Sequence, residues 1–314
     1  MALLRTQILR LLRAAGVLAG VLVMVFAVAR AVPGDPAVNL LGEQATETEL
    51  AALRTRLGLD RPVAAQFRAY LGDVLDGSLG RSFQGGGTVA EAIARVLPFT
   101  VELALAGVLV ACFIAFPLGV LAALRKDTAL DNGALVLAMV GIAVPNFWLG
   151  PLLIHLVCVR LGWLPDPGAG VLGLPSLILP ALVLGTALAG KLTRMIRSSL
   201  LDVVHAEYVT AARARGLPER RVFVHHVLRN SLVPVVTVLG LQLAALLTGA
   251  IVTEKVFARP GLGTLLLDAI QARDYPVVQG CVIVVAAIYV GVNWAVDGLY
   301  LLLDPRSAMG DARP

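Results

Sequence analysis

Long, nearly unbroken apolar stretches recur along the chain, separated by polar segments. Six of them reach the length of about 20 residues that a membrane-crossing helix needs: residues 14–32, 99–124, 134–159, 171–190, 232–253 and 277–303. The apolar runs are continuous, as in residues 17–28, whereas strands of a membrane barrel alternate apolar and polar side chains. We therefore predict an all-α membrane protein with six transmembrane helices.

Composition supports a membrane protein. Charged residues make up 15% of the chain and hydrophobic residues 58%, whereas a soluble domain carries about 25% charged residues. The three cysteines, Cys112, Cys158 and Cys281, lie far apart in apolar runs. We predict that they are buried apolar side chains and that the chain has no disulfide or metal site. In such a chain the net charge of +5 reflects membrane topology, and we predict no nucleic-acid partner.

The basic residues indicate the orientation in the membrane lipid. Short cytoplasmic loops carry an excess of Lys and Arg, and most of the 26 basic residues fall in alternate segments between the apolar stretches. These segments are residues 1–13, 125–133, 191–230 and 304–314. We therefore predict that both termini are cytoplasmic and that the protein is a multi-pass component of the cell membrane.

The same pattern divides the chain into four parts. Residues 1–32 form a tail and the first helix, 33–98 an extracytoplasmic segment, 99–304 a core with five helices, and 305–314 a C-terminal tail. The start of the chain also resembles a signal peptide, with Arg5, Arg10 and Arg13 ahead of an apolar run. That run is long for a signal peptide, whose apolar core has about 7–15 residues, so we favour a retained helix.

The segment 33–98 is predicted to be partly folded. Thr46 and Glu49 have the spacing of a capping box, in which each side chain bonds the other residue's backbone N–H at the start of a helix. Asp60 is expected to cap a second helix that Pro62 opens. Consecutive glycines at 85–87 indicate a flexible break before the second transmembrane helix.

The polar segment 191–230 is too long for a simple connection between two membrane helices. We predict short helices over residues 201–215 and 219–230, because Gly216 suits the position after a helix and Pro218 the start of the next. Small and basic side chains there suit a rigid element docked on a cytoplasmic partner. The residues expected to contribute are Glu207, Tyr208, Ala211, Ala212, Arg213, Arg215 and Gly216. A basic amphipathic helix lying on anionic lipid is the alternative.

Part of this segment, Thr210-Ala211-Ala212-x-x-x-Gly216, resembles the EAA loop of ABC-importer permeases. In that family the loop is the coupling helix that docks on the ATPase subunit. This chain has Thr210 where the family commonly has Glu, and Arg229 where many members have Pro. Both departures fit the dipeptide/oligopeptide/nickel permeases, which are also similar in the stretch His226-x-Leu228-Arg229-Asn230-x-Leu232-x-Pro234.

Further stretches resemble the same subfamily, in the same order, over nearly the whole chain. They are Arg61-Pro62-Val63-x-x-Gln66-Phe67, Gly77-Ser78-Leu79-Gly80-Arg81-Ser82, Val144-Pro145-Asn146-Phe147-Trp148-Leu149-Gly150, Phe257-Ala258-Arg259-Pro260-Gly261-Leu262-Gly263, Arg273-Asp274-Tyr275-Pro276 and Asp304-Pro305-Arg306. The long segment 33–98 is similar to that of the B-type subunit of the peptide importers.

The resemblance implies a type I ABC-importer permease fold and a role as the membrane subunit of an ATP-driven importer of dipeptides or oligopeptides. It also implies a paralogous permease as heterodimer partner, two ATPase subunits that bind ATP and Mg²⁺, and an extracytoplasmic substrate-binding protein. This chain is then not an enzyme and holds no cofactor. Nickel chelate, glutathione and haem are the alternative cargoes. A self-contained secondary transporter, which would have internal repeats and paired broken helices, is the alternative function.

No ATP site is predicted in this chain. Residues 185–191 are spaced like a phosphate-binding loop, but Leu192 stands where Ser or Thr would contact Mg²⁺. Polar residues at membrane depth are costly and often functional, so Asn146, Gln242 and Thr248 are candidates for the translocation path. Tight packing between helices explains the small residues of 240–248 equally well.

The last candidate surface is the predicted outside loop 254–276, which contains Arg259, Pro260, Arg273 and Asp274. One interpretation of these residues is an ordered turn. The other, implied by the resemblance, is contact with the binding protein that delivers the substrate. The sequence leaves both open.

Overall fold

The computed structural model describes residues 2–32, 34–42, 44–85, 87–170 and 173–303. Over these ranges the secondary structure is helical, apart from an isolated bridge between Arg81 and Thr88. The helices are α1 (Ala2–Ala31), α2 (Pro36–Leu41), α3 (Glu47–Leu57), α4 (Val63–Leu75), α5 (Val89–Leu124), α6 (Ala129–Ala143), α7 (Asn146–Leu153), α8 (Leu174–Val204), α9 (Glu207–Ala214), α10 (Glu219–Arg221), α11 (Arg229–Val256), α12 (Leu262–Gln271) and α13 (Tyr275–Leu303). Two π-helical stretches, Ile154–Arg160 and Val222–Leu228, extend α7 and join α10 to α11.

Five described helices are long and apolar enough to cross a membrane, and a bent pair supplies a sixth crossing if it counts as one span. This confirms the all-α membrane fold. The bent pair is α6 and α7 with its π-helical extension, where the helix direction changes by 99°. Pro145 lies at the break and has no backbone N–H to continue a helix. The third membrane helix, predicted to be continuous over 134–159, is therefore broken.

The chain divides into two compact units. The first unit comprises Met1–Thr100 and Pro260–Val290, and the second comprises Val101–Arg259 and Gly291–Pro314. The C-terminal stretch Asp304-Pro305-Arg306 quoted above lies outside the described residues.

Helix α8 is the centre of the second unit. Its glycines allow neighbouring helices to approach closely: a Cβ on Gly185 would lie 2.7 Å from the Gly107 carbonyl oxygen of α5. Likewise, a Cβ on Gly119 of α5 would lie 2.8 Å from the Ile196 Cβ of α8. Small residues at crossings are the usual route to tight packing between membrane helices. The glycines of 185–191 therefore serve helix packing.

The first unit holds the folded part of the segment between α1 and α5. Thr46 and Glu49 form the predicted capping box of α3, with both backbone N–H groups bonded by the other side chain. The predicted cap of α4 is wrong: Pro62 occupies that position without a side-chain bond. Asp60 instead accepts a hydrogen bond from Thr55 Oγ1 at 3.0 Å.

The same unit contains an element that sequence analysis missed. The predicted loop 254–276 includes α12, ten residues long, whose apolar face packs on the beginnings of α5 and α13. Leu262, Ala269 and Val277 are buried in this cluster together with Val89 and Cys281.

Candidate functional site

Helix α9 is held to the second unit by its inner face. Val209 is fully buried and Ala212 is 6% exposed, one turn apart on the helix. Both belong to the apolar cluster that includes Leu200 of α8 and Val222 of the π-helical stretch. Ala212 was predicted to contact a partner, and its burial instead makes it part of the support on which α9 rests.

The end of α9 is a Schellman turn centred on Gly216. Leu217 N–H donates to the Ala212 carbonyl at 3.4 Å, and Gly216 N–H donates to the Arg213 carbonyl at 2.9 Å. Gly216 has φ +75°, a left-handed conformation in which a side chain collides with the backbone. This is the role predicted for Gly216 as the residue after the helix.

Arg213 ties the two ends of this segment together. Its guanidinium donates to Glu219 Oε1 at 2.8 Å and to the Val204 carbonyl oxygen at 3.3 Å. The hydrogen bond that Arg213 donates to the Glu219 carboxylate raises the pKa of Arg213. Since Val204 ends α8 and Glu219 begins α10, one side chain connects α9 to the helix before it and to the helix after it.

Tyr208 makes a second connection, to α11. Its hydroxyl accepts a hydrogen bond from Asn230 Nδ2 at 3.1 Å, and the same amide donates to the His226 carbonyl at 2.8 Å. The Tyr208 ring is 44% exposed, so it can contact another molecule while the hydroxyl holds its orientation.

The outer face of α9 is open to solvent. Among the residues predicted to dock on a partner, those exposed are Glu207, Tyr208, Ala211, Arg213, Arg215 and Gly216. A short helix whose inner face is packed on the protein and whose outer face is exposed can transmit force from a partner to the neighbouring helices.

Sequence analysis missed the ion pair between Asp131 of α6 and Arg197 of α8. Arg197 donates to both carboxylate oxygens of Asp131, at 2.6 and 2.7 Å, and the Asp131 side chain is 2% exposed. This pair fastens the start of α6 to α8. The available signal was that opposite charges stand in two segments predicted on the same side of the membrane.

The structure only partly locates the predicted path residues. Asn146 is half-buried and is the first residue of α7, directly after the 99° bend. Gln242 Oε1 accepts a hydrogen bond from Lys191 Nζ at 3.4 Å, which links α11 to α8. The side chain of Thr248 lies outside the described part of the chain. A role of these residues in a path stays a prediction.

The charged residues of 254–276 form internal bonds. Arg259 donates to Glu102 at 2.5 Å within the second unit, and its side chain is 3% exposed. Asp274, also buried, accepts a hydrogen bond from Ser82 Oγ at 2.5 Å within the first unit. Arg273 has φ +54° in the turn before α13, and Pro260 is half-buried. These contacts brace the fold, while contact with a binding protein stays a prediction.

Comparison with known proteins decides the family. Residues 115–308 match the profile of the binding-protein-dependent transport system inner membrane component, and residues 3–104 match the profile of its N-terminal part. The chain belongs to this family. The permease is accordingly a multi-pass protein of the cell membrane, and its family works with substrate-binding proteins and ATPases.

Two curated relatives cover the permease almost from end to end. The di/tripeptide transport system permease protein DppB of Pseudomonas aeruginosa is 40% identical, over 91% of this chain and 94% of the relative. The oligopeptide transport system permease protein AppB of Bacillus subtilis is 37% identical, over 95% of this chain and 97% of the relative.

A solved structure confirms the fold. The MetNI methionine ABC transporter in an inward-facing conformation matches with a TM-score of 0.55 and 18% identity. The match covers 68% of the permease and 96% of that chain. The permease therefore has the predicted type I ABC-importer permease fold.

Proposed function

We propose that this permease is the membrane subunit of an ATP-driven importer of short peptides, and that α9 docks on its ATPase. The relatives named above, which match over nearly the whole chain, are di/tripeptide and oligopeptide permeases. The docking role rests on the two faces of α9. Val209 and Ala212 are buried against the second unit, whereas Tyr208 and Arg215 are exposed to solvent.

The proposal includes the remaining parts of the importer. A paralogous permease completes the path, two ATPase subunits bind ATP and Mg²⁺, and an extracytoplasmic binding protein delivers the peptide. The basic residues of 191–230 support a cytoplasmic position for α9, where an ATPase would dock. This chain performs no covalent chemistry.

In this mechanism α9 acts as a lever. When ATP draws the ATPase subunits together, α9 moves with them, and its bonds to Val204 and Glu219 carry the displacement into α8 and α11. The transport path changes its open side because the docked helix has different contact energies in the two states of the bundle.

Replacing Gly216 with valine tests the lever directly. A Cβ at this position meets no atom within 4 Å, so the substitution adds only the strain of a left-handed backbone, about 1–2 kcal/mol. We expect peptide uptake per ATP hydrolysed to fall about fivefold to thirtyfold in proteoliposomes that contain the whole importer.

Gly216→Asn is the matched control, because asparagine tolerates the left-handed conformation. It should transport close to the wild-type rate. If Gly216→Val keeps wild-type uptake and wild-type ATP consumption, α9 does not couple the two activities.

A further inference from the structure

The first unit contains a cavity of about 700 Å³ that plays no part in the coupling role of α9. It lies at the carboxyl end of α1, between the α3–α4 turn, residues 79–85 and the start of α13. Small-molecule sites occupy about 300–1,000 Å³, so the cavity has the size of a ligand site.

The charged groups that line this cavity are mostly positive. They are four arginines, Arg30, Arg56, Arg61 and Arg81, and one acid, Asp73. Guanidinium groups present planar pairs of donors that match a carboxylate or a phosphate. The lining therefore favours an anionic group.

One wall of the cavity is already fixed. Arg30 donates twice to Gln66 Oε1, at 3.0 and 2.8 Å, and lies over the Phe26 ring. Gln66 in turn donates to the carbonyls of Leu59 and Arg61, at 3.2 and 2.9 Å. The α3–α4 turn is thus fastened to α1, and this part of the site is preorganised.

Three donors of the lining have no acceptor among the described residues. Arg56 and Arg61 are exposed to solvent, and their guanidinium groups make no hydrogen bond or ion pair there, which leaves both free to bind a ligand. Gln279 is 5% exposed, and its Nε2 has no hydrogen-bond partner there. The Gln279 Nε2 atom itself has almost no accessible surface, so the two arginines are the donors that a ligand in the cavity can reach.

The acidic residue of the lining, Asp73, also has no oppositely charged partner among the described residues. The Asp73 carboxylate makes no ion pair with the arginines in the described chain, and only its backbone carbonyl accepts hydrogen bonds, from Leu79 and Ser78. Burial raises the pKa of Asp73, and the nearby charge of Asp76 adds to this shift. A cationic group in the cavity would stabilise this carboxylate.

We propose that the cavity binds a short zwitterionic peptide, with its carboxylate held by Arg56 and Arg61 and its ammonium group by Asp73. The choice of a peptide among zwitterions rests on the proposed function. A phosphate group fits the arginines equally well, but it leaves Asp73 unmatched and facing a second negative charge.

Binding of L-alanyl-L-alanine to the full permease, purified with its partner subunits but without binding protein, tests this site. Isothermal titration in phosphatidylcholine nanodiscs should give saturable binding. The amidated dipeptide, which lacks the carboxylate, and the N-acetylated dipeptide, which lacks the ammonium group, should each bind about tenfold more weakly, as expected for one lost charge-assisted bond.

Variants assign the binding to the cavity. The double substitution R56Q/R61Q should weaken dipeptide binding about tenfold. Arg68→Gln is the matched control, because Arg68 is an exposed arginine of α4 outside the lining. Unchanged thermal stability of each variant shows that the fold is intact.

Several outcomes would overturn the proposal. These are no dipeptide binding, binding of either blocked dipeptide as tight as that of the free dipeptide, or equal effects of Arg68→Gln and R56Q/R61Q. Arginine-dependent binding of glycerol 3-phosphate, or of phosphatidylglycerol nanodiscs, in place of the dipeptide would identify a lipid headgroup site. The Gly216→Val substitution should leave dipeptide binding unchanged, so failure of this inference and failure of the coupling role remain distinguishable.

Discussion

Two segments carry basic residues that the sequence predicts to contact a partner, and the structure shows that these residues differ in solvent exposure. In the segment around α9, Arg213 and Arg215 remain exposed. In the segment that follows α11, the Arg259 side chain is 3% exposed and bonded to Glu102. Each segment includes a residue in the left-handed conformation, Gly216 at φ +75° and Ala258 at φ +46°.

The difference teaches that a basic turn is not by itself a docking surface. An exposed guanidinium without a protein partner costs little free energy, because water solvates it. A buried guanidinium is stable only when an internal partner offsets the loss of water. The α9 segment is therefore suited to bind another subunit, while Arg259 is suited to hold α5 to the end of α11.

The largest effect is expected from removing the buried arginine. Arg259→Leu breaks an ion pair, and we expect the free energy of unfolding to fall by about 3 kcal/mol. The loss comes from the bonds of the buried guanidinium to Glu102 and Ser176, since hydrogen bonds of charged groups contribute about 1.5–3 kcal/mol. The Glu102 left behind is 44% exposed and stays solvated. Thermal unfolding of the purified permease in detergent measures the loss.

Arg215→Leu is the matched substitution in the exposed segment. It should shift the free energy of unfolding by no more than about 0.5 kcal/mol, as is usual for surface residues away from special contacts. Equal losses in the two variants would contradict the contrast between the two segments.

Much of the fold could be predicted because its signals are local. Apolar length predicted the membrane helices, the spacing of Thr46 and Glu49 predicted the capping box, and Gly216 followed by Pro218 predicted the turn after α9. Each of these depends on residues that are close in sequence, where backbone geometry dominates.

The remaining features depend on contacts between distant residues. Pro145 indicates a break, but no local rule gives the 99° change in direction. Helix α12 lies in a segment predicted to be a loop, and the reason for its apolar face is evident only where it packs on α5 and α13. Likewise, Arg56 and Gln279 meet at one cavity only in the folded chain.

An intermediate effect is expected at Asp274, the other buried charge of the second segment. Its Oδ1 accepts a bond from Val277 N–H at 3.5 Å, as the cap of α13, and its Oδ2 accepts one from Ser82. Asp274→Ala should lower the free energy of unfolding by about 1–2 kcal/mol, the usual cost of a lost cap. Asp274→Asn should lose less, because asparagine caps helices equally well; a larger loss for Asn than for Ala would exclude the capping role.

A small effect is expected at Tyr208, where an exposed ring is held by a polar contact. Tyr208→Phe removes the hydroxyl that accepts the bond from Asn230 but keeps the ring. Asn230 still donates to the His226 carbonyl, so no donor is stranded, and the free energy of unfolding should fall by about 0.5 kcal/mol. Tyr208→Ala also removes the exposed ring, and we expect it to weaken capture of the ATPase in a pull-down from detergent while Tyr208→Phe does not. If both variants capture the ATPase as well as the wild type, the exposed ring of α9 is not part of the docking surface, and the contrast with the buried Arg259 segment would then concern stability alone.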